Sequence, residues 1–345
     1  MTARARALVT GSDGFIGSRL AARLLDLGTD VRALVRHGVA TYGHSHDGSD
    51  TRERATQLER VRGDVRDLNS LERACEGCDV VFHCAWGGTS LQEARQINVE
   101  GTRKVVEAAS RNGIRRVVHL SSMGAHGRRL PELLTEEYPL VSAGDAYAVS
   151  KAEGEKAAFE TGARLRVEVV ALRPTLVYGP RSPLWLVAYF ERTKNEQVAL
   201  IEGGSGLANI VLVDDLISAM LAAWKVPGAS SESFLISGSH PVTWRDYIGQ
   251  FARMCGKPLP PSVPRWRAML EVQWLRVYGV LTQRPRRLVG MDADLMSQRT
   301  TVSIDKAQRI LGYAPAFCLE DGMRVCESWL RREGYLPPAS VHPIG

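Results

Sequence analysis

The 345-residue sequence is poor in cysteine, and its six cysteines do not form a ligand set for a metal. Only one CxxC pair is present, Cys75 and Cys78. Neither a second cysteine pair nor a histidine pair accompanies it at the spacing of a tetrahedral zinc site. We therefore predict no metal site.

The chain also lacks a long apolar run. No window reaches the roughly 18 consecutive apolar residues that a membrane-spanning helix needs. The beginning, MTARARALVTGSDGFIG, passes from two arginines into a short apolar segment and glycines, without the longer apolar region and small-residue cleavage site of a signal peptide. These features predict a cytoplasmic protein with no membrane span.

A basic tail is missing as well, although the formal net charge is +6. Lysine and arginine are spread along the chain and interleaved with aspartate and glutamate, a pattern that does not favour a nucleic-acid partner. An anionic small-molecule cofactor or substrate accounts for the positive charge equally well. With 44% hydrophobic and 24% charged residues, the composition is that of a globular protein and excludes disorder or a fibrous fold.

Short apolar segments of β type alternate with helix-patterned segments through the first half of the chain. This rhythm predicts βαβ units and a parallel sheet covered on both faces, which is a doubly wound α/β fold. The predicted strands are Ala7–Thr10, Val31–Val35, Asp79–Ala85, Arg116–Leu120 and Val167–Leu172. The predicted helices are Phe15–Leu27, Ser70–Glu76, Ala94–Arg111 and Ala146–Thr161.

The rhythm breaks near Pro174, where proline and glycine become frequent. We predict a dinucleotide-binding domain over residues 1–173. A smaller, mainly substrate-binding lobe follows over 174–345, with some segments returning to the first domain. Within that lobe the aromatic segment Trp266–Leu281 is interpreted as core or lid packing, and contact with a membrane surface is the alternative.

A glycine-rich loop, TGSDGFIG at 10–17, joins the first predicted strand to the first helix. Gly11 permits a tight turn, Gly14 lets the backbone approach a pyrophosphate, and Gly17 lets helix and strand pack closely. The helix that follows presents free N–H groups to an anion. This context predicts a dinucleotide site of the Rossmann type.

The residues after the second strand bear on the choice of cofactor. Enzymes that use NAD often carry an acidic residue there for the ribose hydroxyls, whereas this chain has Arg36. We predict a preference for NADP over NAD, although Asp13 adds negative charge nearby and Arg36 could simply be solvated. Asp64 and Val65, after the third strand, are predicted near the adenine, unless Asp64 only caps a turn.

Tyr147 and Lys151 are four residues apart, and therefore lie on one face of a helix. An ammonium beside a phenol, together with a cationic nicotinamide, stabilises the phenolate, so the pair is suited to proton transfer. Ser121 and Ser122 follow a strand, at the edge where open sheets bind ligands. At least one of their hydroxyls is placed to polarise a carbonyl.

Together these motifs resemble the extended short-chain dehydrogenase/reductase family, also called the NAD-dependent epimerase/dehydratase group. The matching segments, in order, are TGSDGFIG, GDVRD (63–67), VFHCA (81–85), INVEGT (97–102), LSS (120–122), YAVSK (147–151) and LRPTLVYGP (172–180). The resemblance implies that Ser122, Tyr147 and Lys151 are catalytic, and that Ser122 rather than Ser121 binds the carbonyl. It also implies a homodimer formed through two helices beside the sheet.

The resemblance places twelve residues around the cofactor, with Asn98 acting as structural or relay support. They are Gly11, Gly14, Phe15, Ile16, Gly17, Arg36, Asp64, Val65, Ala85, Asn98, Lys151 and Pro174. The predicted substrate-binding residues are Trp86, Ser122 and Tyr147, and Trp86 stands where the family usually has a small residue. His83, just before it, is interpreted as packed rather than catalytic.

Met123 and Gly124 stand where dehydratases of this family carry an Asp-Glu pair, so dehydration is not expected. We predict an oxidoreductase that interconverts a ketone and a secondary alcohol on a bulky metabolite, a sterol-like molecule or a nucleotide-linked keto-sugar. The alternative is a sugar-nucleotide epimerase, which uses the same three catalytic residues. A non-catalytic nucleotide sensor is a third and less favoured interpretation.

Overall fold

The computed structural model describes residues 4–36, 57–270 and 293–338. Its strands and the helices that lie wholly within these ranges are numbered in chain order. The strands are β1 Arg6–Thr10, β2 Asp30–Val35, β3 Leu58–Arg62, β4 Val80–His83, β5 Arg116–Leu120, β6 Leu133–Leu134, β7 Glu168–Pro174, β8 Leu176–Tyr178, β9 Leu200–Ile201, β10 Ile210–Leu212, β11 Ser233–Ile236, β12 Ser262–Val263 and β13 Thr301–Val302. The helices are α1 Phe15–Asp26, α2 Leu68–Cys75, α3 Leu91–Arg95, α4 Gly101–Arg111, α5 Ala146–Leu165, α6 Tyr189–Lys194, α7 Val213–Lys225, α8 Trp244–Met254, α9 Ala293–Met296, α10 Asp305–Leu311 and α11 Leu319–Arg332.

Seven strands form one parallel sheet in the order β3-β2-β1-β4-β5-β7-β11. Helices α1, α7 and α10 pack on one face of it, and α2, α4 and α5 pack on the other. The predicted doubly wound α/β fold is confirmed. The strand order reverses between β1 and β4, and ligands of open α/β sheets bind at such a switch point, beyond the carboxyl ends of the strands.

The predicted helix Ala94–Arg111 differs from the observed structure. Helix α3 begins at Leu91, a π-helical turn covers Gln96–Glu100, and α4 begins at Gly101. The π-turn adds a residue to one turn, a rare feature that is concentrated near functional sites. It places Asn98 inside the protein, where the side chain is 5% exposed.

The chain beyond Pro174 contributes to both parts of the fold. Strand β11 extends the main sheet, while a second core gathers aromatic side chains from α6, α8 and α11, among them Tyr189, Trp244 and Trp329. This arrangement agrees with a lobe whose segments return to the sheet, although the boundary at residue 173 stays a prediction. Of the aromatic segment Trp266–Leu281, residues beyond Leu270 lie outside the described ranges, and Trp266 itself is exposed.

Two surveys concern only the residues that the structure describes. None of the helices there is long and apolar enough to cross a membrane. Within the same ranges, no three His, Cys, Asp or Glu side chains gather in a metal-binding arrangement.

Candidate active site

A cavity of about 850 Å³ opens beyond the carboxyl ends of β1, β4 and β5. It brings together nearly all the residues that the sequence pointed to. Those that line it are Gly11, Gly14, Phe15, Ile16, Gly17, Arg36, Asp64, Val65, Ala85, Trp86, Ser122, Tyr147, Lys151 and Pro174. One end is formed by the glycine loop, and the other by segments of the second lobe.

The glycine loop is shaped to bring backbone close to a ligand. Gly11 has a φ of +65°, and a Cβ on it would come within 2.7 Å of the Ala85 nitrogen. The Gly14 N–H donates to the Gly11 carbonyl at 3.0 Å, and Gly14 is the residue before α1. A side chain on Gly17 would collide with the Gly11 carbonyl. The loop and the first turn of α1 therefore fit the pyrophosphate of a dinucleotide.

Asp64 and Arg36 lie at the end of the cavity where the adenosine of a dinucleotide would rest. Asp64 Oδ1 accepts the Arg66 backbone N–H at 2.9 Å, so the carboxylate caps a turn and also lines the cavity. The Arg66 guanidinium pairs with Asp64 at 2.6 Å, and this hydrogen bond is the main cause that lowers the pKa of Asp64. Arg66 was not anticipated; its position two residues after Asp64 in GDVRD was the available signal.

Helix α5 carries the predicted acid/base pair and is capped at its N-terminus by Asp145, whose side chain accepts the Ala148 N–H at 2.9 Å. Lys151 is buried, and its Nζ donates to the Leu120 carbonyl at the end of β5, at 2.9 Å. Burial lowers the pKa of Lys151 from its ordinary 10.5 to about 8. The lysine is therefore held at the strand end with two further N–H groups to offer.

Tyr147 lies in the cavity with 41% of its surface exposed, and its ring meets that of Trp86 edge to face at 5.6 Å. Desolvation raises the pKa of Tyr147, and a hydrogen bond with Ser122 acts in the opposite direction. At neutral pH the phenol is thus protonated and beside a serine hydroxyl. Such a group can donate a proton to a substrate oxygen.

Ser122 stands where β5 gives way to a short 3-10 turn, and its Oγ accepts the Gly124 N–H at 3.0 Å. The serine O–H points to the same place as the Tyr147 hydroxyl, with which it forms a hydrogen bond, so both groups can turn to one ligand oxygen. A Cβ on Gly124 would lie 3.0 Å from the Tyr147 ring and 3.2 Å from Ser122 Oγ. A larger residue at 124 would therefore press on both groups. Ser121 is buried, and its Oγ has no partner among the described residues.

Asn98 is the one predicted cofactor residue that does not line the cavity. Its amide oxygen accepts from Gly87 N at 3.0 Å, and its amide nitrogen donates to Gly87 O at 3.1 Å and to Ser150 Oγ at 3.0 Å. In this geometry the Asn98 side chain therefore does not reach the cavity that would hold the cofactor. The side chain links the segment after β4 to α5. This agrees with the interpretation of Asn98 as structural support.

His83 belongs to a buried chain of hydrogen bonds. The Thr102 hydroxyl donates to the Asn98 carbonyl at 2.7 Å, so it accepts from His83 Nε2 at 2.9 Å. His83 Nδ1 then accepts from Thr10 Oγ1 at 2.7 Å. Burial lowers the pKa of His83 to about 3, so the ring is neutral. This placement agrees with a packed rather than catalytic residue.

A buried ion pair behind α5 was not anticipated. Arg173 of β7 contacts Glu155 at 2.6 Å, with 7% and 2% of the two side chains exposed. Arg173 also donates to the Glu136 carbonyl at 3.0 Å and lies 3.3 Å from His126 Nε2. The signal in the sequence was weak: Glu155 follows Lys151 by one helical turn, and Arg173 precedes Pro174.

The substrate end of the cavity is largely apolar. Its walls include Trp86, Leu130, Leu184, Trp185 and Leu295. The charged groups there form pairs, one between Arg128 and Asp145 at 3.3 Å and another between Asp294 and Arg265 at 2.8 Å. This end therefore suits a ligand whose body is mainly hydrocarbon.

Comparison with known proteins assigns the class. The model of the NAD dependent epimerase/dehydratase family matches residues 7–236. The chain belongs to this family and is an enzyme, as the reductases, dehydrogenases and epimerases among its relatives are.

Individual relatives differ in what they act on. The 2-alkyl-3-oxoalkanoate reductase of Stenotrophomonas maltophilia (strain K279a) is 27% identical over 92% of this chain and 97% of its own. The 3-beta-hydroxysteroid dehydrogenase of Mycolicibacterium neoaurum is 27% identical over 93% and 90%. The structure of MoeE5 in complex with UDP-glucose and NAD superposes with a TM-score of 0.72, at 26% identity, and covers 95% of this chain and 99% of MoeE5.

Proposed function

We propose that this enzyme interconverts a ketone and a secondary alcohol on a bulky, largely apolar metabolite, using Ser122, Tyr147 and Lys151. The observation that carries the proposal is their meeting in one cavity, between a dinucleotide loop and an apolar wall. The relatives named reductase and hydroxysteroid dehydrogenase support the same reaction class.

The geometry suggests a role for each of the three residues. Ser122 donates its hydroxyl proton in a hydrogen bond to the carbonyl oxygen, because its oxygen is already oriented by the Gly124 N–H. Tyr147 transfers its proton to that oxygen during reduction and takes it back during oxidation. Lys151 places a positive charge beside the phenolate that forms. A bound nicotinamide cofactor supplies or accepts the hydride.

NADP is the preferred cofactor in this proposal, with NAD as the alternative. Arg36 follows β2 and lines the cavity, and its positive charge contributes to lowering the pKa of Asp64, so the two side chains share the adenosine end. An arginine in this place suits the 2′-phosphate of NADP. Asp13 and Asp64 oppose it with negative charge.

A sugar-nucleotide epimerase is the second candidate, supported by the similarity to MoeE5. Its substrate would bring a diphosphate into the cavity. Among the described residues at the substrate end, the one cation of the lining is Arg128, a single positive charge against the two or more negative charges of a diphosphate. Two carboxylates, Asp145 and Asp294, share that end. This charge distribution favours the ketone reductase over the epimerase, and the intact catalytic set argues against a non-catalytic sensor.

The test compares Tyr147→Phe with the wild type on a panel of bulky ketones. The reaction is monitored by the consumption of reduced cofactor. We expect one cofactor consumed per ketone and a rate about 100- to 10,000-fold lower for the variant, because phenylalanine cannot transfer the proton. Tyr138→Phe is the matched control, since its hydroxyl bonds to the Arg129 carbonyl away from the cavity. Unchanged activity of Tyr147→Phe would contradict the mechanism. Tightly retained NAD with no net turnover would favour the epimerase.

A further inference from the structure

Arg128 has a fixed backbone and an adaptable side chain. The Gln298 amide donates to the Arg128 carbonyl at 2.9 Å, and the preceding Gly127, with a φ of +82°, donates its N–H to the Gly124 carbonyl at 2.9 Å. The Arg128 side chain itself is 67% exposed and lines the substrate end of the cavity. Its guanidinium can therefore reorient without disturbing the chain that carries it.

The contact between Arg128 and Asp145 is weak. It joins Nε to Oδ2 at 3.3 Å, and within the ranges 4–36, 57–270 and 293–338 neither Nη group forms a hydrogen bond or ion pair with Asp145. Exposed ion pairs of this kind contribute little to stability. Asp145 keeps its other role without Arg128, because its Oδ1 caps α5 through the Ala148 N–H. An incoming anion can therefore replace Asp145 as the partner of the Arg128 guanidinium with little loss of folding stability.

The charges around Arg128 favour an anion with a single negative charge. One guanidinium matches one carboxylate, which it can bind through two parallel N–H···O bonds. A diphosphate would place two negative charges near Asp145 and Asp294, both of which line this end of the cavity. The apolar walls of the same cavity, including Trp86, Leu130 and Leu184, suit hydrocarbon.

We propose that the substrate is an oxo acid with a bulky hydrocarbon body, whose carboxylate is bound by Arg128 while its ketone faces Ser122 and Tyr147. This inference rests on the proposed ketone–alcohol chemistry of the same site. It adds a specificity-determining residue to the three catalytic groups and a substrate class to the reaction.

Binding without turnover tests the proposal separately from catalysis. Decanoate and decanamide, which share a chain and differ in charge, are titrated by calorimetry into the full chain saturated with NADP. We expect Arg128→Gln to weaken decanoate about ten- to a hundredfold, the usual loss for a charge-assisted contact, and to leave decanamide within about twofold. Arg129→Gln, the exposed neighbour that does not line the cavity, should leave both affinities unchanged.

Several outcomes would overturn the proposal. One is an unchanged decanoate affinity in Arg128→Gln, and another is an equal loss of affinity for decanoate and decanamide. A third is binding of UDP in place of decanoate that depends on Arg128, which would identify the ligand as a diphosphate. If Arg128→Gln fails to fold, the wild type decides the matter alone. Its decanoate affinity should then fall with ionic strength while decanamide affinity does not. If decanoate binds as expected but no ketone is reduced, the proposed reaction fails and the carboxylate site stands.

Discussion

Lys151 carries a buried ammonium at the position for which we propose a catalytic role, and burial disfavours the charge that this role requires. Among the described residues its Nζ has one hydrogen-bond partner, the Leu120 carbonyl, so much of the cost of removing its charge from water is not offset. Burial is the main cause of its lowered pKa, while Cys84 and Glu155 act in the opposite direction. The lysine is thus poised to lose its proton just above neutral pH.

This pKa predicts a pH dependence of opposite sign for activity and stability. Because the charged lysine stabilises the Tyr147 phenolate, the rate of ketone reduction should fall as the pH rises through about 8. Between pH 8 and 10.5 the unfolded chain binds more protons at this site than the folded one, so the free energy of unfolding should rise. The rise due to Lys151 alone is about 3 kcal/mol.

Urea unfolding of wild type and Lys151→Met across that pH range measures this difference. The methionine variant removes the titrating group while keeping most of the side-chain volume, so its stability should lack the rise. Parallel stability profiles for the two proteins would show that Lys151 does not titrate with a lowered pKa.

A second prediction for a single residue concerns Arg36 and the choice of cofactor. Arg36→Ala should reduce kcat/KM with NADPH about 10- to 100-fold and leave kcat/KM with NADH nearly unchanged, because only NADP carries a phosphate for the guanidinium. Steady-state rates with both cofactors measure the ratio. Arg60→Ala, an exposed arginine of β3 that does not line the cavity, serves as a control. An equal loss with both cofactors would point to a general role in adenosine binding.

At the scale of elements, helix α5 is the platform of the site. Asp145, Tyr147, Lys151 and Glu155 follow one another along it, and each contacts a different partner around the sheet. Asn98 bonds to Ser150 of the same helix. The positions of the catalytic groups therefore depend on contacts that hold α5 against β5 and β7.

The Arg173–Glu155 pair is the most buried of these contacts and gives a prediction for α5 as a whole. Arg173→Met should lower the free energy of unfolding by about 3–5 kcal/mol, because it leaves the Glu155 carboxylate buried without its partner. The double variant Arg173→Met/Glu155→Leu should recover part of the loss, since no lone charge remains. Urea denaturation of both variants gives these differences.

A matched control is a second ion pair of α5, formed with Arg95 of α3. Arg95 pairs with Glu153 at 2.6 Å, but these side chains are 49% and 33% exposed. Arg95→Gln should cost less than about 1 kcal/mol, because water replaces the lost partner. Similar losses in Arg95→Gln and Arg173→Met would mean that burial does not govern the strength of the inner pair.

At the scale of the whole molecule, the cavity lies between two parts of the chain that are built differently. Its cofactor end comes from consecutive βα units, and its substrate end comes from segments after β4, β5 and β8 together with residues of α9. The relatives differ at this level, since two are named 2-alkyl-3-oxoalkanoate reductase and 3-beta-hydroxysteroid dehydrogenase, and MoeE5 is seen in complex with UDP-glucose. We therefore expect the second end to determine substrate choice. The homodimer stays a prediction.

Much of the fold and of the cofactor end could be predicted from the sequence. The glycine loop, the Tyr147–Lys151 spacing and the first helix with Gly28 after it are local patterns, in which a few neighbouring residues specify both geometry and chemistry. The ordered motifs added the family and the doubly wound sheet. The function of Asn98 was less well predicted, because the π-helical turn that directs it inward has no clear local signal.

The sequence by itself determined the chemistry available: a glycine loop between a strand and a helix, and a phenol with an ammonium one helical turn away. Only the tertiary structure decided which distant groups meet. Lys151 and Leu120 are 31 residues apart, Arg173 and Glu155 are 18 apart, and Arg128 and Asp145 are 17 apart. Separation along the chain has no set relation to separation in space until the strands pair and α5 packs on the sheet. The burial that lowers the pKa of Lys151, and the charges that surround Arg128, exist only after that packing.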